Sequence, residues 1–341
     1  MQVTLLTDYR HAFWSSTSNV RTKTTMNVPL LEHELGRLGL VSRALSPREV
    51  PAVGDWTDKV VVYTSSEDDG LHQKSYLEDM VTYLELEGAR LIPGPLLLRA
   101  HHNKVLMELL RRHWLPEDPL VPMTHVFGTV EDLERDLDSI ALPAFVKGSA
   151  GAGSATVALA QTQEGVVTMA RRLSRSDGGY GAARKRIKEH LRKGFEAESN
   201  FRRKFIVQTQ IPALDGDFKV LKYGSRFFAL RRGNRDGDPR ASGAGRLDLD
   251  VGRYVDLAAL LTFAAQVSDR IPSPFLSMDI AFSGNDPYLI EFQAVYFGPA
   301  TLETSQRHWV RGADGSFAEV FGRIGLEEAF ASAIAEELSV R

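Results

Sequence analysis

An α/β unit followed by a larger α+β unit is the architecture that this 341-residue sequence predicts. Three observations carry it. The first hundred residues alternate apolar strand-like runs with helix-period segments, the pattern of a small parallel sheet covered by helices. From about Ala141 short β-rich runs dominate, interrupted by helical pieces at about 164–175, 182–193 and 253–270. The composition, 43% hydrophobic and 25% charged, is that of an ordinary globular chain, and the length corresponds to two or three packed units.

In the first unit QVTLL (2–6), KVVVYTS (59–65) and ARLIPG (89–94) read as strands. NVPLLEHELGRLG (27–39) reads as a helix capped by Asn27, with Val28, Leu31, Leu35 and Leu38 on one face and Gly39 as its stop. KSYLEDMVTYLELEG (74–88) repeats the period through Leu77, Met80, Val81 and Leu84 and stops at Gly88. HHNKVLMELLRRH (101–113) is a helix with Asn103 as cap, followed by the Pro-rich crossing LPEDPLVPM (115–123). The later strands are LPAFVK, ATVALA, KFIVQTQI, DFKVLKYG, RFFALRRG, FLSMDIAF and YLIEFQAV, and the closing helix LEEAFASAIAEELS aligns Leu326, Phe330, Ile334 and Leu338.

Several function classes are disfavoured at once. A formal charge of −3 offers no global attraction to nucleic acid or to a membrane surface. Residues 171–204 do carry twelve Lys/Arg against four Asp/Glu, but match no known nucleic-acid-binding motif, so solvated helix faces are the expectation. The absence of cysteine excludes disulfides and thiolate metal sites. The adjacent His101 and His102 match no zinc spacing and read as a helix entry. MQVTLLTDYRHAF lacks a signal-peptide pattern and no apolar run approaches membrane-spanning length, so a soluble cytoplasmic protein is expected.

Three stretches carry chemistry. LPAFVKGSAGAGSATVALA (142–160) runs a strand into Lys147 and then loosens at Gly148, Gly151 and Gly153, ahead of Ser154. Glycines let successive backbone N–H groups turn toward one anion. A Walker-type phosphate loop requires Lys-Ser/Thr directly after the last glycine, which Ser154-Ala155 does not supply. A dinucleotide fingerprint requires a helix next, and ATVALA is β-rich. Strand, glycine loop, strand is a hairpin able to fold over a polyphosphate with Lys147 at its base, although an ordinary turn with a solvated lysine has the same local signature.

In FLSMDIAFSGNDPYLIEFQ (275–293) two strands flank a tight turn. If Phe282 faces Tyr288 across it, antiparallel pairing sets Asp279 opposite Glu291, and Gln293 shares their face. Like charges facing each other destabilise a sheet unless a cation lies between them, and these oxygen donors suit Mg2+. The alternative, a salt-bridged surface hairpin, conflicts with the apolar residues flanking both acids. Between these stretches, residues 205–245 hold a strand ending in polar QTQ, then Asp217 and Lys219 on one strand face, adjacent Arg231 and Arg232, and Arg240 in a glycine-rich loop. Such arginines either hold a phosphoryl or carboxylate group or form a solvated basic rim.

Taken in order, Lys104 at a helix start, Lys147 before the glycine hairpin, the hinge after FIV, Asp-x-Lys, the Arg pair, and Asp279, Glu291 and Gln293 resemble the ATP-grasp ligases. The RimK-like and glutathione-synthetase-like branch is the most similar, over about residues 100–305. Locally YTSSEDDGLHQKSYLEDM, LIPGPLLLRAHHNK and IEFQAVYFG resemble an ATP-grasp group met among bacterial surface-polysaccharide genes. The resemblance implies two α+β subdomains clasping ATP behind an N-terminal α/β domain. Their spans would be 1–98 for the N-terminal domain, 99–142 for a helical connection, 143–210 for the small subdomain and 211–341 for the subdomain with the metal site.

It also implies roles. Lys104 and Lys147 would contact nucleotide phosphates, and Gly148 to Ser154 would close over them. Gln208, Thr209, Gln210 and Ile211 would hold adenine through their backbone, with Asp217 near the ribose. Arg231 and Arg232 would lie by the transferred phosphate, joined by Lys219, and Asp279, Glu291 and Gln293 would hold Mg2+. Family members commonly carry Asn where Gln293 stands, an acid at Thr209 and Asn at Ser242. GPATLETS (298–305) resembles the turn that cradles the acyl substrate, with Gly and Pro reversed. The implied activity is ATP-dependent joining of a small carboxylate to an amine, of amino-acid or sugar type, through an acylphosphate. A phosphotransferase with the same metal site, or a module that binds ATP without turnover, are the alternatives. DYRHAFWSSTSN (8–19), beyond the first strand, is a candidate substrate contact, and a homodimer is the default assembly.

Overall fold

The computed structural model describes residues 1–17, 23–65, 69–115, 122–150, 156–212, 214–234 and 246–339. They form two compact units, Met1–His101 with Asp215–Arg341, and His102–Leu214. The expected first and last segments therefore share one unit and the two middle segments share the other. Among the described residues no helix is long and apolar enough to cross a membrane.

The first unit begins with β1 (Gln2–Leu6), β2 (Phe13–Thr17), β3 (Lys23–Met26), α1 (Val28–Arg37), β4 (Val41–Leu45), β5 (Val60–Tyr63), α2 (His72–Leu86), β6 (Arg90–Ile92) and α3 (Pro95–Ala100). A parallel sheet runs β4-β1-β5-β6, and β2 pairs with β3 in a separate hairpin. The continuous apolar runs of β1 and β5 become its central strands, buried as parallel strands require. Asn27 caps α1 by accepting from the Leu30 N–H at 3.1 Å, and Gly39 ends the helix at φ +78°. Leu31 and Leu35 are buried as expected, whereas Leu38 is 46% exposed because it sits at the C-cap, past the last packed turn. His101 is the C-cap of α3, and the next helix is capped by Asn103 as expected.

The second unit contains α4 (Lys104–Trp114), β7 (Thr124–Phe127), α5 (Val130–Arg135), β8 (Ala144–Gly148), β9 (Val157–Ala160), α6 (Gln163–Ser174), α7 (Gly179–Leu191) and β10 (Phe205–Thr209). Its antiparallel sheet runs β7-β10-β8-β9. One face packs on α5 and α6 through Phe127, Val130, Leu133, Val146, Val166 and Phe205.

The first unit resumes with β11 (Gly216–Tyr223), β12 (Arg226–Gly233), β13 (Arg246–Asp248), α8 (Leu257–Arg270), β14 (Phe275–Ser283), β15 (Asp286–Gln293), α9 (Ala300–Thr304), β16 (Arg307–Arg311), β17 (Phe317–Phe321) and α10 (Leu326–Ser339). The larger sheet runs β15-β14-β11-β12-β16-β17, with β13 beside β12. Two-residue turns join β11 to β12 and β14 to β15, with Gly224 at φ +58° and Gly284 at φ +61° supplying the left-handed position. Glu336 of α10 locks the first turn, accepting from the Ser225 N–H at 2.6 Å and the Ser225 hydroxyl at 3.1 Å. The stripe Leu326, Phe330, Ile334 and Leu338 is buried, in one core with Val3, Leu5, Leu31, Val60, Leu221 and Phe275. Phe330 stacks on Phe275 with ring centroids 4.5 Å apart. Both sheets of this unit thus meet the same closing helix.

Candidate functional site

The central strands of the larger sheet bring together the charged residues of the first unit. Cross-strand partners share a face, and the register places Lys219 opposite Asp279, Asp279 opposite Glu291, Ser277 opposite Gln293 and Asp217 opposite Arg232. Asp217, Lys219, Arg232, Asp279, Glu291 and Gln293 therefore occupy one face.

The facing of Asp279 and Glu291 arises by a different route from the one expected. Tyr288 pairs with Ala281, not Phe282, so the hairpin tip is one residue out of the anticipated register. A β-bulge between Asp279 and Ile280 takes up that residue on β15 and restores the pairing of the acids.

Lys219 Nζ lies 3.2 Å from one oxygen of Asp279, and an Arg232 guanidinium nitrogen 2.8 Å from the other. Arg232 also forms a two-pronged pair with Asp217, donating from Nε at 2.6 Å and from Nη2 at 2.8 Å. Burial alone would raise the Asp279 pKa, but Arg232 and then Lys219 overcome it and hold the carboxyl well below its ordinary range. For Asp217 burial prevails over Arg232, and the nearby Asp279 adds to it, so its pKa is raised. Burial would lower the pKa of Arg232, but the two aspartates outweigh it and keep the guanidinium charged.

Arg231 does not join that group. Adjacent strand residues point to opposite faces, and its guanidinium stacks over Tyr254 at 3.9 Å and pairs with Asp215 at 3.0 Å. Gly216 and Gly233 stand beside it, where an added Cβ would come within 3.3 Å and 3.1 Å of its terminal nitrogens. The two expected arginines thus lie on opposite faces, and of the pair only Arg232 reaches Asp279.

In the second unit Lys147, Gln208 and Thr124 share one sheet face. Lys147 Nζ donates to Gln208 Oε1 at 2.6 Å, and Gln208 Nε2 donates to the Thr124 hydroxyl at 3.1 Å. Thr124 donates onward to the Pro122 carbonyl at 2.9 Å. All three residues are buried. Thr124 was absent from the expected set; its only signal is a polar residue ending a Pro-rich crossing. Lys104 opens α4, and its backbone N–H donates to the Ser149 carbonyl at 2.9 Å, two residues beyond Lys147. The Asn103 side chain caps α4 at Leu106 N and accepts from the Ser149 hydroxyl. The helix start and the strand end are thereby tied together.

Thr209 and Gln210 donate their backbone N–H groups to Met123 and Pro143, and Ile211 is buried. Gly148 closes β8, its N–H bonded to Thr156. Gly151, Gly153, Ser154, Arg240 and Ser242 lie outside the described residues. Pro299 of the GPATLETS segment starts the one-turn α9, in which the buried Thr301 hydroxyl has no hydrogen-bond partner. Beyond the carboxyl ends of β1 and β5, Thr7, Asp8, Trp14, Thr64, Ser65 and Gln73 line a small cleft. Asp8 accepts from the Trp14 indole at 2.7 Å and from the Arg10 and Ala12 backbone, while the buried Ser65 hydroxyl has no partner.

Among the described residues no group of three or more His, Asp or Glu forms a metal cluster. The expected cation ligands are two carboxylates and an amide, all hard oxygen donors on one sheet face, a set that fits Mg2+ in chemistry.

No protein-family model matches the sequence, and no curated protein is similar to it. Solved structures are similar over nearly the whole chain. A D-cycloserine synthetase matches at 17% identity and TM-score 0.54, covering 99% of this chain and 100% of that one. A RimK-domain ATP-grasp protein from Sphaerobacter thermophilus matches at 16% and 0.51, covering 98% and 99%. D-alanine–D-alanine ligase from Bacillus anthracis, complexed with ATP, matches at 13% and 0.51, covering 100% and 98%. The chain has the ATP-grasp fold.

Proposed function

We propose that this ATP-grasp protein is an ATP-dependent carboxylate–amine ligase that forms an amide through an acylphosphate and releases ADP and phosphate. The observation that carries the reading is the single sheet face on which Asp279, Glu291 and Gln293 gather beside Lys219 and Arg232. The similar structures named as a synthetase and a ligase support a bond-forming outcome.

Asp279, Glu291 and Gln293 would hold Mg2+. That ion, when bound, neutralises phosphate charge and favours attack on the γ-phosphorus. Arg232, oriented by Asp217, and Lys219 would meet the transferring phosphoryl group, whose charge grows on its outer oxygens. Lys147, positioned by Gln208 and Thr124, and Lys104 would bind the phosphates of ATP. The glycine segment 148–154 would exclude water, and residues 208–211 would receive adenine.

A substrate carboxylate oxygen attacks the γ-phosphorus, the bond to ADP breaks, and the acyl carbon gains a phosphate leaving group. An amine then attacks that carbon, phosphate departs and the amine loses a proton. Such chemistry needs positioning and charge neutralisation rather than a protein nucleophile. The cleft lined by Asp8, Trp14 and Ser65 and the turn at Gly298–Thr304 are the proposed substrate contacts.

The test is ADP release from the purified protein with Mg2+ and ATP over a panel of carboxylic acids and amines, with mass spectrometry of the product. ADP release that requires both an acid and an amine, with an amide formed, is expected. A phosphorylated hydroxyl product without amide would replace the ligase with a phosphotransferase, and ATP binding without turnover would leave only a binding module.

A further inference from the structure

We propose that β17 is a self-association edge, through which two copies of this chain pair antiparallel across a two-fold axis. β17 is the outermost strand of the larger sheet, and among the described residues no strand lies on its far side. Residues 318–321 are exposed on both faces, with Phe321 76% and Val320 37% accessible.

The phase of the hydrogen bonds fixes which groups the edge offers. At one end of the β16–β17 hairpin the Gly312 N–H donates to Ser316 at 2.8 Å, and at the other the Gly322 N–H donates to Gln306 at 2.8 Å. The unbroken register between them turns Ala318 and Val320 toward β16 as well. Phe317, Glu319 and Phe321 therefore direct their N–H and C=O groups outward. This outward set is symmetric about Glu319. A second copy running antiparallel about that residue sets Phe317 of each molecule against Phe321 of the other, with every outward donor facing an acceptor.

Residues 317–321 contain no Lys or Pro and the register has no bulge, so shortness and one acid are the guards this edge carries. The single charge, Glu319, would face its own copy, an opposition that costs stability when uncompensated. Arg307 on the neighbouring strand pairs with Glu319 at 2.9 Å and supplies that compensation. A five-residue edge is small beside a standard interface of about 1,600 Å², so association with a Kd of roughly micromolar order is expected.

Light scattering after size exclusion, from about 1 to about 200 μM protein, reads the association directly. The mass should rise toward twice that of one chain. Glu319→Pro removes an outward N–H without touching the β16 ladder, and Phe321→Lys places a charge on an already exposed position; both should stay at the single-chain mass with unchanged far-UV dichroism. Glu319→Gln should associate at the same or lower concentration. A wild-type chain that remains single at the highest concentration overturns the proposal. So does a doubled mass that Phe321→Lys leaves intact; that variant decides the matter should Glu319→Pro fail to fold.

Discussion

Two sheet faces, one in each unit, hold their buried charge in different ways. In the first, Asp217, Lys219, Arg232 and Asp279 form a charged lattice, with Glu291 facing Asp279. In the second, the chain of hydrogen bonds from Lys147 runs through neutral groups, an amide, a hydroxyl and a carbonyl. The carboxylates on the first face are oxygen donors of the kind a hard cation takes, whereas the acceptor of the Lys147 ammonium is a neutral amide.

The largest separation of the two surfaces should come from Glu291→Gln. Removing one carboxylate from the proposed cation set should lower ADP release by about 100-fold or more, while Mg-free nucleotide affinity, read by calorimetry, stays close to wild type. Lys147→Met should do the reverse, weakening nucleotide binding by about 10- to 100-fold whether or not Mg2+ is present. Equal effects of both variants on both measurements would erase the distinction.

Within the first unit Arg231 and Arg232 make a finer contrast. Arg232→Lys forfeits the two-pronged contact to Asp217 and should reduce turnover by about 10-fold or more. Arg231→Lys, on the opposite face, should change turnover by less than about 3-fold. Steady-state kinetics of the pair decides whether face or mere adjacency matters.

The smallest effect is in acid. Asp279 has a lower pKa folded than unfolded, so its pairing stabilises the native state above the ordinary aspartate pKa. That contribution fades as pH falls below about 4 toward the folded value. Asp279→Asn lacks it, so the gap in melting temperature between wild type and variant should narrow as pH falls from about 6 to about 3. A constant gap would mean that the carboxylate is unpaired in solution.

Much of this was legible in residue order. The apolar runs of β1 and β5, the Asn27 and Asn103 caps and the α10 stripe each follow from local periodicity. The pairing of Asp279 with Glu291 was anticipated from a tip register that is off by one, and a bulge invisible to pattern reading restored it. β4 is not legible in the sequence because VSRAL is a half-exposed strand without a continuous apolar run. β16 and β17 are not legible because RHWVR and FAEVF are five residues each and neither alternates apolar with polar residues. The divergence of Arg231 and Arg232, by contrast, was written in the strand's period of two. The partnership of Thr124 with Gln208 needed the fold, since 84 residues separate them.

The apolar stripe of α10 also governs when this molecule can mature. Residues 326–339 seal an interior that residues 2–6 begin. A nascent chain leaving the ribosome therefore cannot close this interior until residues 326–339 have been translated. Until then Val3, Leu5 and Val60 wait with their solvent-averse sides uncovered, a window in which a chaperone would find its client.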